Sequence, residues 1–263
     1  MTGALELIEV SVDYHRGGQP VHALDSASLA IGRSESVAVM GPSGCGKSTL
    51  LGVLALTIPP TSGSVLVGGV PAPSSPDGRA RTRNRLLGII PQSGAVIDHL
   101  SVLANVSLPL EYSRPRTRRR VRHERARQAL ADVGIGWAEA TTPPRLSGGE
   151  RQRAFLAMLM AQDPAFFLLD EVTSYMDVEH QKKTTEIVRR LTASGKGVVM
   201  TTHDLALGFS LSDRILVMNE GRIVLSGTPE EVRKEKELLR ACFGVTVGRS
   251  ASKEALYAYE LQN

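Results

Sequence analysis

A glycine-rich loop between a strand and a helix constrains this chain more than any other segment. It reads Gly41-Pro42-Ser43-Gly44-Cys45-Gly46-Lys47-Ser48-Thr49. This matches G-x-x-x-x-G-K-[ST], a loop whose backbone N–H groups wrap nucleotide phosphates. The apolar run 36–40 before it is typical of a buried strand, and apolar residues at helical spacing follow over 49–54. Because such a loop directs the N-terminus of a helix at an anion, the sequence predicts a nucleotide-binding α/β domain.

Individual residues of this loop have distinct expected roles. Lys47 would reach the β- and γ-phosphates, and the hydroxyl of Ser48 would bind Mg²⁺. We also expect a reactive thiol at Cys45, since it stands at a helix N-terminus beside a lysine, and nucleotide should protect it from maleimide. The alternative is a glycine-rich turn that matches by chance, and the strand and helix on its two sides argue against that.

Composition narrows the class of protein. The 263 residues suffice for one large domain or two small ones, and 42% of them are hydrophobic. No run of about eighteen apolar residues occurs, so we expect no membrane span. The first residues lack the basic and apolar regions of a secretory signal. Two cysteines cannot form a disulfide framework, and a reducing cytoplasm fits them best.

Positive charge is concentrated in one segment of the chain. The formal net charge is +4, and eight arginines lie close together: Arg114, Arg116, Arg118, Arg119, Arg120, Arg122, Arg125 and Arg127. A solvated helix face, an anionic membrane surface and nucleic acid are the three interpretations. An apolar stripe through Ala126 and Leu130 favours the solvated face. No aromatic residues interleave with the arginines, which argues against nucleic acid.

The remaining segments predict a mostly parallel sheet covered by helices. Strand patterns occupy 5–10, 21–31, 64–67 and 86–90, and residues 71–78 form a Pro/Ser-rich surface loop. Helical spacing follows from 100 to 137. Helices and strands then alternate to about residue 240, the pattern of an α/β fold.

Three further motifs accompany the glycine-rich loop. The segment Leu146–Arg153 reads LSGGERQR and opens a helix, the strand 166–171 ends in Asp170-Glu171, and the strand from Val199 ends in His203-Asp204. Together with Gln92, these residues resemble the ATP-binding cassette (ABC) ATPases from about Leu5 to Val232. LSGGE is the most specific motif of this resemblance, because ordinary P-loop kinases and GTPases lack it.

The chemistry of these residue types fits hydrolysis of ATP. Asp170 would hold Mg²⁺ through water, and Glu171 would act as the general base on the water that attacks the γ-phosphate. His203 would contact the γ-phosphate and hold Glu171 and water in place. Gln92 would sense Mg²⁺ and the attacking water. Tyr14 lies where ABC ATPases stack an aromatic ring on adenine, with an ordinary strand-edge tyrosine as the alternative.

The resemblance also implies a dimer. Ser147, Gly148 and Gly149 would serve the nucleotide of the other subunit, with two chains head to tail about a twofold axis and two ATP molecules between them. The loop Glu171–Asp177 would cross this interface. It departs from the usual family pattern, since Val172 replaces a proline and Tyr175-Met176 are bulkier than usual, whereas Asp177 is retained as a residue near the nucleotide.

The predicted architecture is therefore a P-loop NTPase fold. It has a parallel core sheet, an N-terminal antiparallel β subdomain and a helical insert subdomain. The ABC ATPase domain would span residues 1–240, with the helical subdomain inserted at about 93–163, and residues 241–263 would form a C-terminal tail. ATP and Mg²⁺ are the expected cofactors.

The resemblance implies the energy-coupling subunit of a membrane transporter. Its partners would be an integral-membrane permease and a second ATPase subunit, most simply an identical one, at the cytoplasmic face of the cell membrane. The segments 83–92 and 103–110 resemble lipoprotein-release and macrolide-export cassettes, which implies export or extraction from the membrane. The tail after Arg240 somewhat resembles iron-chelate importer cassettes, so import is the alternative. A soluble ABC ATPase acting on DNA or ribosomes would carry a coiled-coil insert or a second cassette, and we expect no nucleic acid partner.

Overall fold

The computed structural model describes residues 4–16, 19–90, 96–113, 115–171, 178–248 and 258–261. The strands in these ranges are β1 (Leu5–Arg16), β2 (Gln19–Ile31), β3 (Ser36–Met40), β4 (Ser62–Val67), β5 (Val70–Pro71), β6 (Leu87–Ile90), β7 (Phe166–Asp170), β8 (Gly197–Thr201), β9 (Arg214–Asn219), β10 (Arg222–Gly227), β11 (Val245–Gly248) and β12 (Ala258–Leu261). The helices are α1 (Lys47–Leu54), α2 (Pro76–Leu86), α3 (Val102–Glu111), α4 (Arg119–Asp132), α5 (Gly148–Gln162), α6 (Val178–Ala193), α7 (Leu205–Leu211), α8 (Pro229–Lys234) and α9 (Lys236–Phe243).

A six-stranded sheet forms the centre of the molecule, in the order β10-β9-β3-β8-β7-β6. Neighbouring strands are parallel throughout, except that β10 runs antiparallel to β9. Every residue of β3, β7 and β8 is buried. Strands covered on both faces consist of continuous apolar runs, which is why these segments show no alternation in the sequence. The predicted parallel core sheet is confirmed.

A four-stranded antiparallel sheet lies beside it, in the order β2-β1-β4-β5. Along β1, Leu5 and Leu7 are buried and Ile8 is 48% exposed, because alternate residues of a strand face opposite sides of the sheet. The buried side packs together with α1 and one face of the six-stranded sheet. This sheet is the predicted N-terminal antiparallel subdomain.

The other face of the six-stranded sheet packs against helices. A continuous apolar cluster joins it to α3, α4, α5 and α7, with Val106 and Leu130 fully buried. Helices α3, α4 and α5 pack on one another and form the predicted helical insert. Its proposed limits, about 93–163, and the limits 1–240 for the whole domain stay predictions.

One segment differs from its prediction. Part of the expected surface loop 71–78 belongs to α2, which begins at Pro76 after the N-cap Ser75, whose side chain accepts a hydrogen bond from the N–H of Gly78 at 3.2 Å. None of the residues of α2 is buried. A helix without an apolar stripe leaves no periodic signal in the sequence, so hydrophobic periodicity does not predict it.

The C-terminal region contains a separate two-stranded sheet. The predicted tail, 241–263, includes the end of α9 and the strands β11 and β12, which pair antiparallel.

Over the described ranges, every helix is too short or too polar to cross a bilayer.

Candidate functional site

The motifs meet at one edge of the six-stranded sheet. Strands β3, β8 and β7 are neighbours and parallel, so their carboxyl ends lie side by side. The glycine-rich loop follows β3, Asp170 ends β7, and His203 follows β8 by two residues. Ligands of parallel α/β sheets bind outside the carboxyl ends of the strands. The topology therefore gathers residues that are about 160 positions apart in the sequence, from Gly41 to His203.

The loop between β3 and α1 depends on glycine at specific positions. Gly46 has a φ of 105°, a conformation that other residues rarely adopt, and a Cβ there would lie 2.3 Å from the carbonyl oxygen of Ala23. Gly46 is also the N-cap of α1, and no side chain caps this helix end. The first N–H groups of α1 are thus available to an anion.

The side chain of Lys47 lies within its own loop. It is 8% exposed, and its Nζ donates hydrogen bonds to the carbonyl oxygens of Gly41 at 2.8 Å and Pro42 at 2.9 Å. Its Nζ also lies 3.8 Å from the Sγ of Cys45. Cys45 is only 4% exposed and belongs to the apolar cluster that contains α1, so its burial argues against the expected reaction with maleimide.

A cavity of about 530 Å³ lies over this loop. Its size is in the range of small-molecule sites. Its lining comes from five separate segments and includes most of the predicted nucleotide-site residues: Tyr14, Val21, His22, Ala23, Gly41, Ser43, Gly44, Gly46, Lys47, Ser48, Thr49, Glu171 and His203. Tyr14 is 42% exposed at the end of the cavity contributed by β1 and β2, where an aromatic face is free to stack on a base.

The two acidic residues at the end of β7 occupy different environments. Asp170 is 9% exposed, and its Oδ1 accepts a hydrogen bond of 2.6 Å from the hydroxyl of Thr201. The same hydroxyl oxygen accepts a hydrogen bond of 2.9 Å from the backbone N–H of Glu171. Glu171 has a φ of 50°, an uncommon backbone conformation for a residue with a side chain, at the point where the chain leaves the sheet.

Thr201 is a site residue that the sequence reasoning missed. It is 2% exposed at the last position of β8, so its single hydroxyl links the ends of two neighbouring strands. The signal in the sequence was a polar residue closing an otherwise apolar strand, immediately before the Thr202-His203 pair.

Glu171 and His203 face each other across the cavity. The Oε2 of Glu171 lies 3.9 Å from the Nδ1 of His203, a separation longer than a hydrogen bond. The histidine side chain is 66% exposed and that of the glutamate 21% exposed. A water molecule or a phosphate oxygen can therefore approach both groups from the solvent side.

The LSGGE segment lies at the start of α5, apart from the described lining of the cavity over the glycine-rich loop. Ser147 is the N-cap of α5, where its hydroxyl accepts a hydrogen bond from the N–H of Glu150, and a Glu150 carboxylate oxygen accepts one from the N–H of Ser147. This reciprocal capping fixes the start of the helix. Ser147, Gly148 and Gly149 are not among the described residues that line the cavity over the glycine-rich loop. Gln92 and Asp177 lie outside the described residues.

The donor set at the cavity suits magnesium. Ser48 lines the cavity with a hydroxyl, and Asp170, a largely buried carboxylate that does not itself line the cavity, ends β7 immediately before the lining residue Glu171. Mg²⁺ is bound in proteins by one or two such oxygen ligands together with substrate phosphates and water. Among the described residues no group of three or more His, Cys, Asp or Glu side chains could hold a metal on its own. A phosphate-assisted magnesium site is the kind that this cavity fits.

Comparison with known proteins agrees with this geometry. Residues 24–174 match the family described as ABC transporter. The chain is 35% identical over 221 residues to the energy-coupling factor transporter ATP-binding protein EcfA2 of Methanospirillum hungatei, covering 83% of this chain and 54% of that protein. It is 33% identical over 260 residues to the methionine import ATP-binding protein MetN of Cupriavidus pinatubonensis, covering 97% and 75%. It is 33% identical over 261 residues to the macrolide export ATP-binding/permease protein MacB of Salmonella typhi, covering 97% of this chain and 40% of MacB.

The fold has a close counterpart among solved structures. The dimeric, post-hydrolysis structure of the ATP-binding cassette MJ0796, bound to ADP and Pi, superposes with a TM-score of 0.81 and 29% identity. The superposition covers 86% of this chain and 98% of that one. The chain spans only about half the length of EcfA2 and less than half of MacB. By its family match, its fold and its site, the chain belongs to the ABC transporter family, as an ATP-binding cassette that hydrolyses ATP with Mg²⁺.

Proposed function

We propose that this cassette drives export, or extraction of a substrate from the membrane, through a separate permease at the cytoplasmic face of the cell membrane. The observation that carries the ATPase half of this proposal is the cavity shared by the glycine-rich loop, Glu171 and His203. The transport half depends on a second cavity, between α2, α3 and α5.

The residues predicted for nucleotide binding and catalysis that line the nucleotide cavity have distinct proposed roles. The N–H groups at the start of α1 and the ammonium of Lys47 bind the phosphates. To reach them, Lys47 exchanges its hydrogen bonds to Gly41 and Pro42 for phosphate oxygens. Tyr14 stacks on the adenine. Glu171 accepts the proton of the attacking water, and His203 holds that water and the γ-phosphate in line.

Ser48 and Asp170 are the residues that we assign to Mg²⁺, with Gln92 completing the set. When bound, the ion neutralises the charge that develops on the β- and γ-phosphate oxygens. Thr201 orients Asp170 through their 2.6 Å hydrogen bond and fixes the backbone of Glu171 through the 2.9 Å one. Because Thr201 holds Asp170 and Glu171 together at the end of β7, the catalytic base Glu171 stays at a constant distance from the phosphate site.

The site is completed by a partner cassette in this proposal. Ser147, Gly148 and Gly149 cannot serve the cavity of their own chain as it stands, because they do not line it. An isologous dimer instead brings the partner subunit's Ser147 over the phosphates, and Asp177 near the shared interface. The dimeric arrangement of MJ0796 supports this choice.

We place the permease in a groove between α2, α3 and α5. A cavity of about 660 Å³ lies between α2, α3 and α5. Leu87, Phe155 and Met158 supply its apolar floor, Arg81 stands at its rim, and Tyr112 is 70% exposed beside it. An exposed aromatic residue beside an apolar groove is typical of a protein-binding surface. An amphipathic helix of the permease would fit there.

Export is the direction that the sequence of α3 favours. The segment Asn105–Leu110, which resembles lipoprotein-release and macrolide-export cassettes, lies on α3 and borders this groove through Pro109. The likeness to MacB over 97% of this chain supports the same direction. Import is the alternative, and the equally extensive likeness to the methionine import protein MetN favours it.

The test uses a trapped form of the cassette. Tagged Glu171→Gln is expressed in the native host, held closed with ATP and Mg²⁺, and purified from solubilised membranes. A stoichiometric multi-span protein would support the proposal, and loss of that protein in a Tyr112→Glu version that still binds ATP would place it in the groove. Co-purification of an extracytoplasmic substrate-binding protein would favour import. Recovery with ribosomes or DNA and without any membrane protein would overturn the proposal.

A further inference from the structure

The arginine-rich segment 115–127 carries more positive charge than its own fold can neutralise. It contains seven arginines. Three of them pair with carboxylates: Arg120 with Glu124 at 3.6 Å, Arg122 with Glu111 at 3.2 Å, and Arg127 with Glu139 at 2.9 Å. Within the described part of the chain, the remaining four form no ion pair: Arg116, Arg118, Arg119 and Arg125. All four are exposed.

Arg119 and Arg125, the two unpaired arginines on α4, do not hold this helix to the core. Helix α4 is held to the core by its other face, through Ala126, Ala129 and Leu130. Its N-cap is Arg118 without a side-chain cap, Arg119 is its first residue, and its first turn contains no acidic residue. Cations near the N-terminus of a helix are disfavoured by the helix dipole. The local arrangement therefore suits an anion supplied from outside the chain.

The segment is held in a defined position. The side chain of Arg122 is 18% exposed, and its guanidinium donates to the carbonyl oxygen of Thr117 at 2.9 Å as well as to Glu111. These bonds tie the start of α4, and the turn before it, to the end of α3. Arg116, Arg118 and Arg119 therefore lie on a turn that hydrogen bonds from Arg122 hold in position.

The class of anion follows from where Arg116, Arg118 and Arg119 lie relative to the proposed permease groove. Tyr112 and Ser113, the residues just before the turn, line the groove and the cavity that adjoins it. If the permease occupies the groove, the lipid bilayer lies on that side of the molecule, a few residues away from the arginines. The inner surface of a cell membrane carries anionic lipids that attract basic clusters of this kind.

We propose that Arg116, Arg118 and Arg119 bind anionic phospholipid headgroups beside the permease, so that the cassette contacts the membrane directly. The placement of the bilayer depends on the proposed transport function. The charge of the turn does not, and it can be tested without a permease. Nucleic acid is the competing polyanion, but among the described residues of this segment no Phe, Tyr or Trp offers a stacking surface.

The experiment measures binding of the purified full chain to vesicles. Phosphatidylcholine vesicles with and without phosphatidylglycerol are compared in co-sedimentation at low and high salt. The wild type should bind only the anionic vesicles, and less tightly at high salt. Each arginine near an anionic surface contributes roughly fivefold to binding, so R116Q/R118Q/R119Q should bind on the order of a hundredfold more weakly. Its ATP affinity should equal that of the wild type, which also verifies that it is folded.

A matched variant controls for net charge. R189Q/R190Q/R240Q removes the same number of charges from exposed positions on α6 and α9, and should bind vesicles like the wild type. No described side chain of these two helices lines the groove. Equal binding by the two triple variants would overturn the proposal, and so would tighter binding of duplex DNA than of anionic vesicles at the same salt. Because the vesicles contain no permease, these results are independent of the permease capture that tests the proposed function.

Discussion

Thr201 provides the sharpest test of how the two acidic residues are positioned. Thr201→Val replaces a hydroxyl by a methyl group in a β-branched side chain of nearly the same shape, so packing at the end of β8 is preserved. Two hydrogen bonds are removed, the 2.6 Å bond to Asp170 and the 2.9 Å bond from the N–H of Glu171.

The expected size of the effect follows from these two bonds. A hydrogen bond to a charged group contributes about 1.5–3 kcal/mol, and a buried N–H left without an acceptor costs about 1–3 kcal/mol. Because the site can relax in part, we expect the free energy of unfolding to fall by about 2–4 kcal/mol. Residues that orient a metal ligand typically change metal affinity or activity by about 10–100-fold, and the Mg²⁺ dependence of Thr201→Val should shift by this amount.

Three measurements distinguish a role of Thr201 in orienting Asp170 from a role in packing alone. Urea unfolding gives the stability, Mn²⁺ binding to the ATP-loaded protein gives the metal affinity without turnover, and ATPase rates over a range of Mg²⁺ give the kinetic effect. Thr201→Ser keeps the hydroxyl and should recover most of the metal affinity. A Thr201→Val protein that is destabilised but has wild-type metal affinity and Mg²⁺ dependence would refute the reasoning, since Thr201 would then only support the fold.

The other predictions concern the glycine-rich loop, the stacking of Tyr14 on adenine, and the acid stability of the fold. Gly46→Ala should destabilise the protein by on the order of 3 kcal/mol and abolish ATP binding, because its Cβ would lie 2.3 Å from a backbone oxygen. Gly44→Ala, whose Cβ would meet nothing within 4 Å, should cost only about 1–2 kcal/mol in calorimetry, and equal effects would contradict the steric argument. Tyr14→Ala should weaken ATP binding by about 1–3 kcal/mol, and Tyr14→Phe should bind normally in a fluorescent-nucleotide titration; a loss in both would exclude stacking. Hydrogen bonds from the backbone and then the side chain of Thr228 hold the pKa of Glu231 below its ordinary value of 4.5, so this group stabilises the fold above pH 4.5 and the contribution is lost as the pH falls through the lowered pKa. The difference in urea midpoint between wild type and Glu231→Gln should thus be present at neutral pH and shrink in acid, and a constant difference would contradict the assignment.

Much of the fold could be predicted because its signals are local. The glycine-rich loop requires backbone conformations that glycine alone adopts easily, and the strand and helix on either side are visible as apolar runs. The parallel strands are buried on both faces and so stand out as continuous hydrophobic segments. Helix α2 could not be found in this way, since no residue on it is buried.

The motifs alone identify the chemical groups of the site: a phosphate loop with Lys47 and Ser48, two acidic residues after a strand, and a histidine after the next strand. Their arrangement in space follows from the tertiary fold. The pairing of β7 with β8 brings Thr201 to Asp170 from 31 residues away, packing turns Cys45 away from solvent, and Ser147 lies outside the cavity of its own chain. Contacts of this kind depend on which strands become neighbours and which faces are covered, and those choices are made by the burial of the whole apolar core, which no short motif records.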